Sequence, residues 1–155
     1  MPRLDPRVED FLAQKRIAVA GVSRDANQAA NAVYKKLRGA GYQVFALNPN
    51  AAEVEADACY PDLKALPEKV DGIVISTPLE AADQIVRQCA EAGVSRVWLH
   101  RSFGTGSVSP AAVKFCEENN ISVIAGGCPM MFCKPVDFGH TCMRWMLRVT
   151  GGLPK

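Results

Sequence analysis

The stretch 16-RIAVAGVSRDANQAANAVYKKLRGAGYQVFALNPN-50 decides the fold. It opens on a short apolar run, residues 16–22, which breaks at Gly21 and reads as a buried strand. Residues 27–42 follow with Ala30, Val33, Tyr34 and Leu37 at helical spacing on one face, and Gly39 and Gly41 stop that helix. Residues 42–48 turn apolar again and form a second strand. A strand, a crossover helix and a second strand in immediate succession make the unit from which parallel sheets are built.

The same alternation extends in both directions. Upstream, a leading helix is expected within residues 1–14, with Asp5 as its cap and Pro6 at its first position. Downstream, strands are expected at 72–77, 96–100 and 121–127. Helices are expected at 78–93 and from the Ser109-Pro110 pair onward. The segment between Pro61 and Pro67 leaves room for one helical turn. A last helix over 137–150 carries Phe138, Cys142, Trp145 and Val149 on one face. The expectation is a single α/β domain over 1–155. It is a Rossmann-like, doubly wound parallel sheet of five strands in the order 3-2-1-4-5, with helices on both faces.

Composition narrows the function classes. A chain of 155 residues buries a core without staples, so its six cysteines are not needed as a disulfide framework. Cys59, Cys89 and Cys116 stand singly and read as small hydrophobes. A net charge of +2, with no basic stripe interleaved with aromatics, gives nucleic acid no electrostatic footprint. No apolar run has the length of a membrane span, and the charged opening MPRLDPRVEDFLAQKR lacks a signal-peptide core. The expected location is cytoplasmic.

In a parallel sheet every loop that follows a strand emerges at the carboxyl edge, and ligands bind there where the strand order reverses. Those loops are GVSRDANQ, NPN, STP, HRSFGTGS and GGCPMM, all rich in Gly, Ser, Asn or Pro. A dinucleotide fingerprint would need G-x-G-x-x-G after the first strand and an acidic residue ending the second. Gly21 stands alone, and the second strand ends in Asn48-Pro49-Asn50, so both signals fail. A phosphate can still meet the Ser23 hydroxyl, Arg24 and the following helix N-terminus. The glycine loop SFGTGSVS has two readings, a cradle for a phosphoryl group or a flexible connection capped by Ser109.

The segment 16–50 is similar to the opening of the small stand-alone CoA-binding proteins, relatives of the CoA-binding domain in the succinyl-CoA synthetase alpha subunit. The family pattern is a Gly-x-Ser turn, then N-x-V-Y-x-x-L, G-Y-x-V and V-N-P-N. Here these are Gly21-Val22-Ser23, the run from Asn31 to Leu37, the run from Gly41 to Val44, and Leu47-Asn48-Pro49-Asn50. The likeness continues through ACYPDLKALP, VDGIVISTP and GVSRVWLH, and VIAGGCPMM resembles the synthetase segment G-P-N-C-P-G. The resemblance implies coenzyme A or acyl-CoA as ligand, with Gly21, Ser23 and Arg24 near its phosphates and Asn48 and Pro49 beside the adenosine. Ser76, Thr77 and Pro78 would line the nucleotide, and Cys128 and Pro129 the pantetheine arm. Val22, Asn31, Asn50, Ser102, Phe103, Gly104 and Gly127 complete the candidate set. In the expected order, the second and fifth strands lie three gaps apart, roughly 14 Å. The synthetase histidine sits on a segment after this domain, and His140 is not equated with it. With the chain ending at Lys155, synthetase activity is not expected to carry over.

Four readings compete for Cys128, Cys133, His140 and Cys142. The spacing C-x4-C-x6-H-x-C is looser than structural zinc sites use, and no C-x-x-C redox pair exists. Cys128 with His100 makes a nucleophile and base, with no residue identified to orient the imidazole. The fourth reading puts Cys128 in the ligand crevice, within reach of thiol exchange with CoA. The leading expectation is a CoA-binding protein. The alternatives are a CoA-dependent transferase or thioester enzyme using Cys128 or His100, and a regulatory module acting through a partner subunit or a second copy.

Overall fold

The computed structural model describes residues 5–101 and 106–131. Ser102, Phe103, Gly104, the helix expected at 137–150, and Cys133, His140 and Cys142 lie outside the described residues. In chain order the elements are α1 (Pro6–Leu12), β1 (Arg16–Ala20), α2 (Ala29–Gly39), β2 (Gln43–Leu47), β3 (Glu53–Val54) and β4 (Asp57–Tyr60). They continue with β5 (Gly72–Ile75), α3 (Leu79–Ala92), β6 (Arg96–Leu99), α4 (Pro110–Glu118) and β7 (Ser122–Ala125).

Among the described residues seven strands make one sheet in the order β3-β4-β2-β1-β5-β6-β7. Every neighbouring pair is parallel except β3 with β4. The expected class holds: a Rossmann-like α/β sheet flanked by helices. The expected count and order do not. The strand at 72–75 pairs with β1, not beyond β2, and the place beside β2 belongs to β4. The five strands read from sequence therefore run 2-1-3-4-5, with a hairpin added outside β2.

That hairpin gave no apolar signal, because β4 buries only Cys59 and β3 only Val54. Its two-residue turn places Glu55 at φ 49° and Ala56 at φ 64°, the double positive φ of a type I′ turn without the usual Asn or Gly. Tertiary contacts with α2 hold it instead. The Tyr34 hydroxyl donates to Asp57 Oδ2 at 2.7 Å, and Arg38 donates to the same oxygen at 2.7 Å and to Glu55 O at 2.8 Å. Burial, then the Asp57 carboxylate, pushes the Tyr34 phenol up, while its hydroxyl and the Arg38 guanidinium hold Asp57 below the usual carboxylate range.

The sheet's period of two sorts its side chains into two cores. Ile17, Val19, Ala46, Val74, Trp98 and Ile124 pack with α1 and α2. Ala18, Ala20, Phe45, Leu47, Ile73, Ile75, Val97 and Leu99 pack with α3 and α4. Phe11 of α1 meets the fully buried Trp98 edge-on, ring centroids 5.4 Å apart, a geometry that adds about 0.5–1.5 kcal/mol beyond area burial. The expected caps are present: Asp5 accepts from Arg7 N at 2.8 Å with Pro6 next, and Ser109 accepts from Ala112 N at 3.2 Å before Pro110. Cys59, Cys89 and Cys116 are buried, and burial pushes the Cys89 thiol up to about 12 and the Cys116 thiol up to about 11. Among the described residues no helix is long and apolar enough to cross a membrane.

Candidate functional site

From β1 the chain builds outward to β2 and then β4; it next returns to β5 on the other side of β1 and builds toward β7. The strand order reverses at β1, so the loops after β1 and β5 diverge there and leave a crevice. Gly21, at φ +103°, lies against the Ser76 backbone there. A Cβ on Gly21 would stand 2.0 Å from the Ser76 carbonyl oxygen, so only glycine fits. The Gly21 N–H continues the ladder to Leu47 O at 3.1 Å, and Ser76 N bonds to Ala20 O at 3.0 Å.

The crevice measures about 480 Å³. Six of the expected residues line it: Gly21, Asn48, Pro49, Asn50, Thr77 and Pro78. Sequence reasoning missed Pro61 and Asp62 after β4, and a stripe of α3 made by Ala81, Gln84, Ile85 and Gln88. Spacing i, i+3, i+4, i+7 along α3 was the available signal for that stripe. Ala20 and Leu47 complete the lining. Asp62 is the one ionisable side chain among the lining residues, and its Oδ1 accepts from Ala65 N at 3.0 Å. Amides, prolines and aliphatic carbons suit an uncharged nucleoside face better than a polyphosphate.

Side chains brace these loops. Asn48 Nδ2 donates to Val22 O at 3.0 Å, and Asn48 Oδ1 accepts from Asn50 N at 2.8 Å. The Arg24 guanidinium, exposed beside the crevice, donates to Asn50 O at 3.3 Å. Ser23 Oγ bonds to Asp25, and the Asn27 backbone N–H, then Gln28, holds the Asp25 carboxyl below its usual range.

The other expected residues stand elsewhere. Val22 and Asn31 are fully buried, and Ser76 presents its carbonyl to Gly21. Gly127 O accepts from Arg101 N at 2.9 Å, Cys128 is 2% exposed in the α1–α2 core, and Pro129 starts a 3-10 turn. His100 is buried at the end of β6. The edge from β2 to β7 crosses four gaps, about 19 Å, one more than the expected order gave. Among the described residues no group of three or more His, Cys, Asp or Glu is placed to hold a metal ion.

A family model described as a CoA binding domain matches residues 15–134. The chain belongs to this CoA-binding family. Coenzyme A is the ligand that membership assigns to the domain. Acetate–CoA ligase (ADP-forming) I of Archaeoglobus fulgidus is 31% identical over 143 residues, 88% of this CoA-binding chain and 21% of the ligase. The chain thus spans about a fifth of that relative's length. A hypothetical protein from Pyrococcus horikoshii superposes with a TM-score of 0.74 at 26% identity, covering 84% of this chain and 94% of that one. The apo dinucleotide-forming acetyl-coenzyme A synthetase 1 of Ca. Korarchaeum cryptofilum superposes with a TM-score of 0.63 at 25% identity, over 76% of this chain and 27% of the synthetase.

Proposed function

We propose that this domain is a cytosolic binder of CoA or acyl-CoA that seats the adenosine end of its ligand in the switch-point crevice. Gly21, Asn48, Pro49, Asn50, Thr77 and Pro78 face the nucleoside, with the α3 stripe closing the pocket. The diphosphate runs past Ser23 and Arg24 toward the N-terminal end of α2, whose dipole favours an anion. The pantetheine arm follows the carboxyl edge toward β7, where Gly127, Cys128 and Pro129 stand. The observation that carries this reading is the crevice at the strand reversal, with Gly21 pressed against Ser76.

Calorimetry with CoA and with NAD tests it. CoA binds one to one and, at a hundredfold excess over its Kd, adds about 2.7 kcal/mol of stability, roughly 5–10 °C in Tm. NAD does neither. Ile85→Trp fills the crevice from α3 and weakens CoA more than tenfold while the fold is kept. Absence of CoA binding at millimolar concentration would reject the reading.

The ligase relatives favour a second reading, in which the domain supplies CoA to transfer chemistry, through Cys128 or His100 or in a larger assembly. Incubating the purified chain with acetate, ATP and CoA separates the two. Thioester formation that is lost on changing Cys128 or His100 would establish the second; its absence, with CoA bound, keeps the first.

A further inference from the structure

Two buried side chains grip the crevice loops from behind. Asn31 of α2 is fully buried, and its Oδ1 accepts from Ser23 N at 2.9 Å while its Nδ2 donates to Ser23 O at 2.7 Å. The second hydrogen of Nδ2 goes to Glu55 Oε1 at 2.9 Å. Both amide donors are thus engaged within the protein, and neither remains for a ligand. Ser107, 3% exposed, repeats the arrangement across the crevice. Its Oγ accepts from Thr77 N at 2.8 Å and donates to Thr77 O at 2.7 Å.

Each clamp holds both peptide groups of one loop residue, as a neighbouring strand would inside the sheet. The ladder between β1 and β5 ends with Ser76 N bonded to Ala20 O, so Ser23 and Thr77 lie just beyond the last rung. The anchor of Ser107 is itself fixed. Its N–H donates to His100 O at 2.8 Å, and a Cβ on the preceding Gly106 would stand 2.5 Å from that oxygen. The end of the glycine loop is therefore pressed onto His100 and Arg101, just after β6, and aims a hydroxyl at Thr77.

We infer that Asn31 and Ser107 are positioning residues of the CoA site, which hold the Ser23 and Thr77 peptides in their binding geometry without touching the ligand. The inference rests on the CoA reading above. A loop ordered in advance loses less conformational freedom on binding, so the clamps act on affinity rather than on contact. They also give Asn31, a residue of the family-like motif N-x-V-Y, a structural task behind the loop.

The test is CoA calorimetry on the wild type, Ser107→Ala, Ser107→Thr and Asn31→Asp, at a temperature where all four are folded, with Tm recorded alongside. Ser107→Ala is expected to weaken CoA about tenfold. Ser107→Thr, which keeps the hydroxyl, stays within about threefold of wild type. Asn31→Asp keeps the shape but turns the donor to Ser23 O into an acceptor, and weakens CoA at least tenfold. In ligand-free Ser107→Ala the Thr77 amide exchanges with solvent at least tenfold faster, which keeps the test decisive should Asn31→Asp fail to fold. Variants that melt lower yet bind CoA within twofold of wild type would make the clamps merely structural and overturn the inference. A wild type that binds no CoA would bring down the functional reading, and this inference with it.

Discussion

Replacing Gly21 by alanine attacks the crevice where Gly21 lies against Ser76, and two other glycines separate the causes of the damage. An alanine Cβ at position 21 would stand 2.0 Å from Ser76 O and 2.9 Å from Ser76 C. Ordinary contact requires the two backbones to part by about 1.4 Å. Neither yields freely, because Gly21 N is held by Leu47 O and Ser76 N by Ala20 O. The φ of +103° adds backbone strain of about 1–3 kcal/mol, and the overpacking about 1–3 kcal/mol more. The expected loss is about 4 kcal/mol, or roughly 8–16 °C in Tm for a chain of this size. At Gly41, φ is +97° but nothing lies within 4 Å, so alanine there suffers only the backbone strain, about 2 kcal/mol. Gly39 closes α2 in open space, and alanine there gains about 0.5–1 kcal/mol of helix propensity. Urea or thermal unfolding should rank the variants Gly39→Ala, wild type, Gly41→Ala, Gly21→Ala, from most to least stable. CoA affinity should fall only in the last. A Gly21→Ala protein that melts with Gly41→Ala and binds CoA normally would refute the close approach as the determinant of the site.

Asp71 gives a pH signature. Its Oδ2 accepts from Arg16 N at 2.9 Å and Lys15 N at 3.2 Å, and the Arg16 N–H holds the carboxyl below its usual range. A folded pKa below the unfolded value of about 3.9 means the stabilisation is complete at neutral pH and drains away as pH falls through the lower value. Urea midpoints should therefore fall less between neutral and acid pH in Asp71→Asn than in wild type, and equal slopes would remove Asp71 from the acid sensitivity. Cys128 is 2% exposed, so CoA disulfide is expected to leave it unmodified in the folded protein. Intact mass spectrometry showing an adduct that disappears in Cys128→Ser would bring that sulfur within reach of the ligand.

The parallel core was legible because its strands are apolar runs: Ile17 to Ala20, Gly72 to Ile75 and Val97 to Leu99 are buried at every position. Capping residues announced the starts of α1 and α4 through local chemistry alone. The β3–β4 hairpin was illegible because Tyr34 and Arg38, about twenty residues upstream, hold it through Asp57. The expected order follows the doubly wound precedent, which puts the third strand outside β2, where β4 of this hairpin stands instead. For the site, the loop residues that end parallel strands were readable, since topology alone gathers Gly21, Asn48 and Thr77 at one edge. The α3 wall was not, because an amphipathic helix whose polar residues border a crevice resembles one whose polar residues meet water. Nor does sequence tell that Asn31 and Ser107 turn inward, since buried polar residues are recognised by their partners and not by their neighbours in the chain.

The most direct measurement is a titration of CoA into isotope-labelled protein followed by amide chemical shifts. The expected result is saturable perturbation centred on Gly21, Ser23, Arg24, Asn48, Asn50, Thr77 and the starts of α2 and α3, with the amino-terminal ends of the strands unmoved. Saturation with the largest shifts away from these residues, or no shifts at millimolar CoA, would contradict a CoA site at the strand reversal.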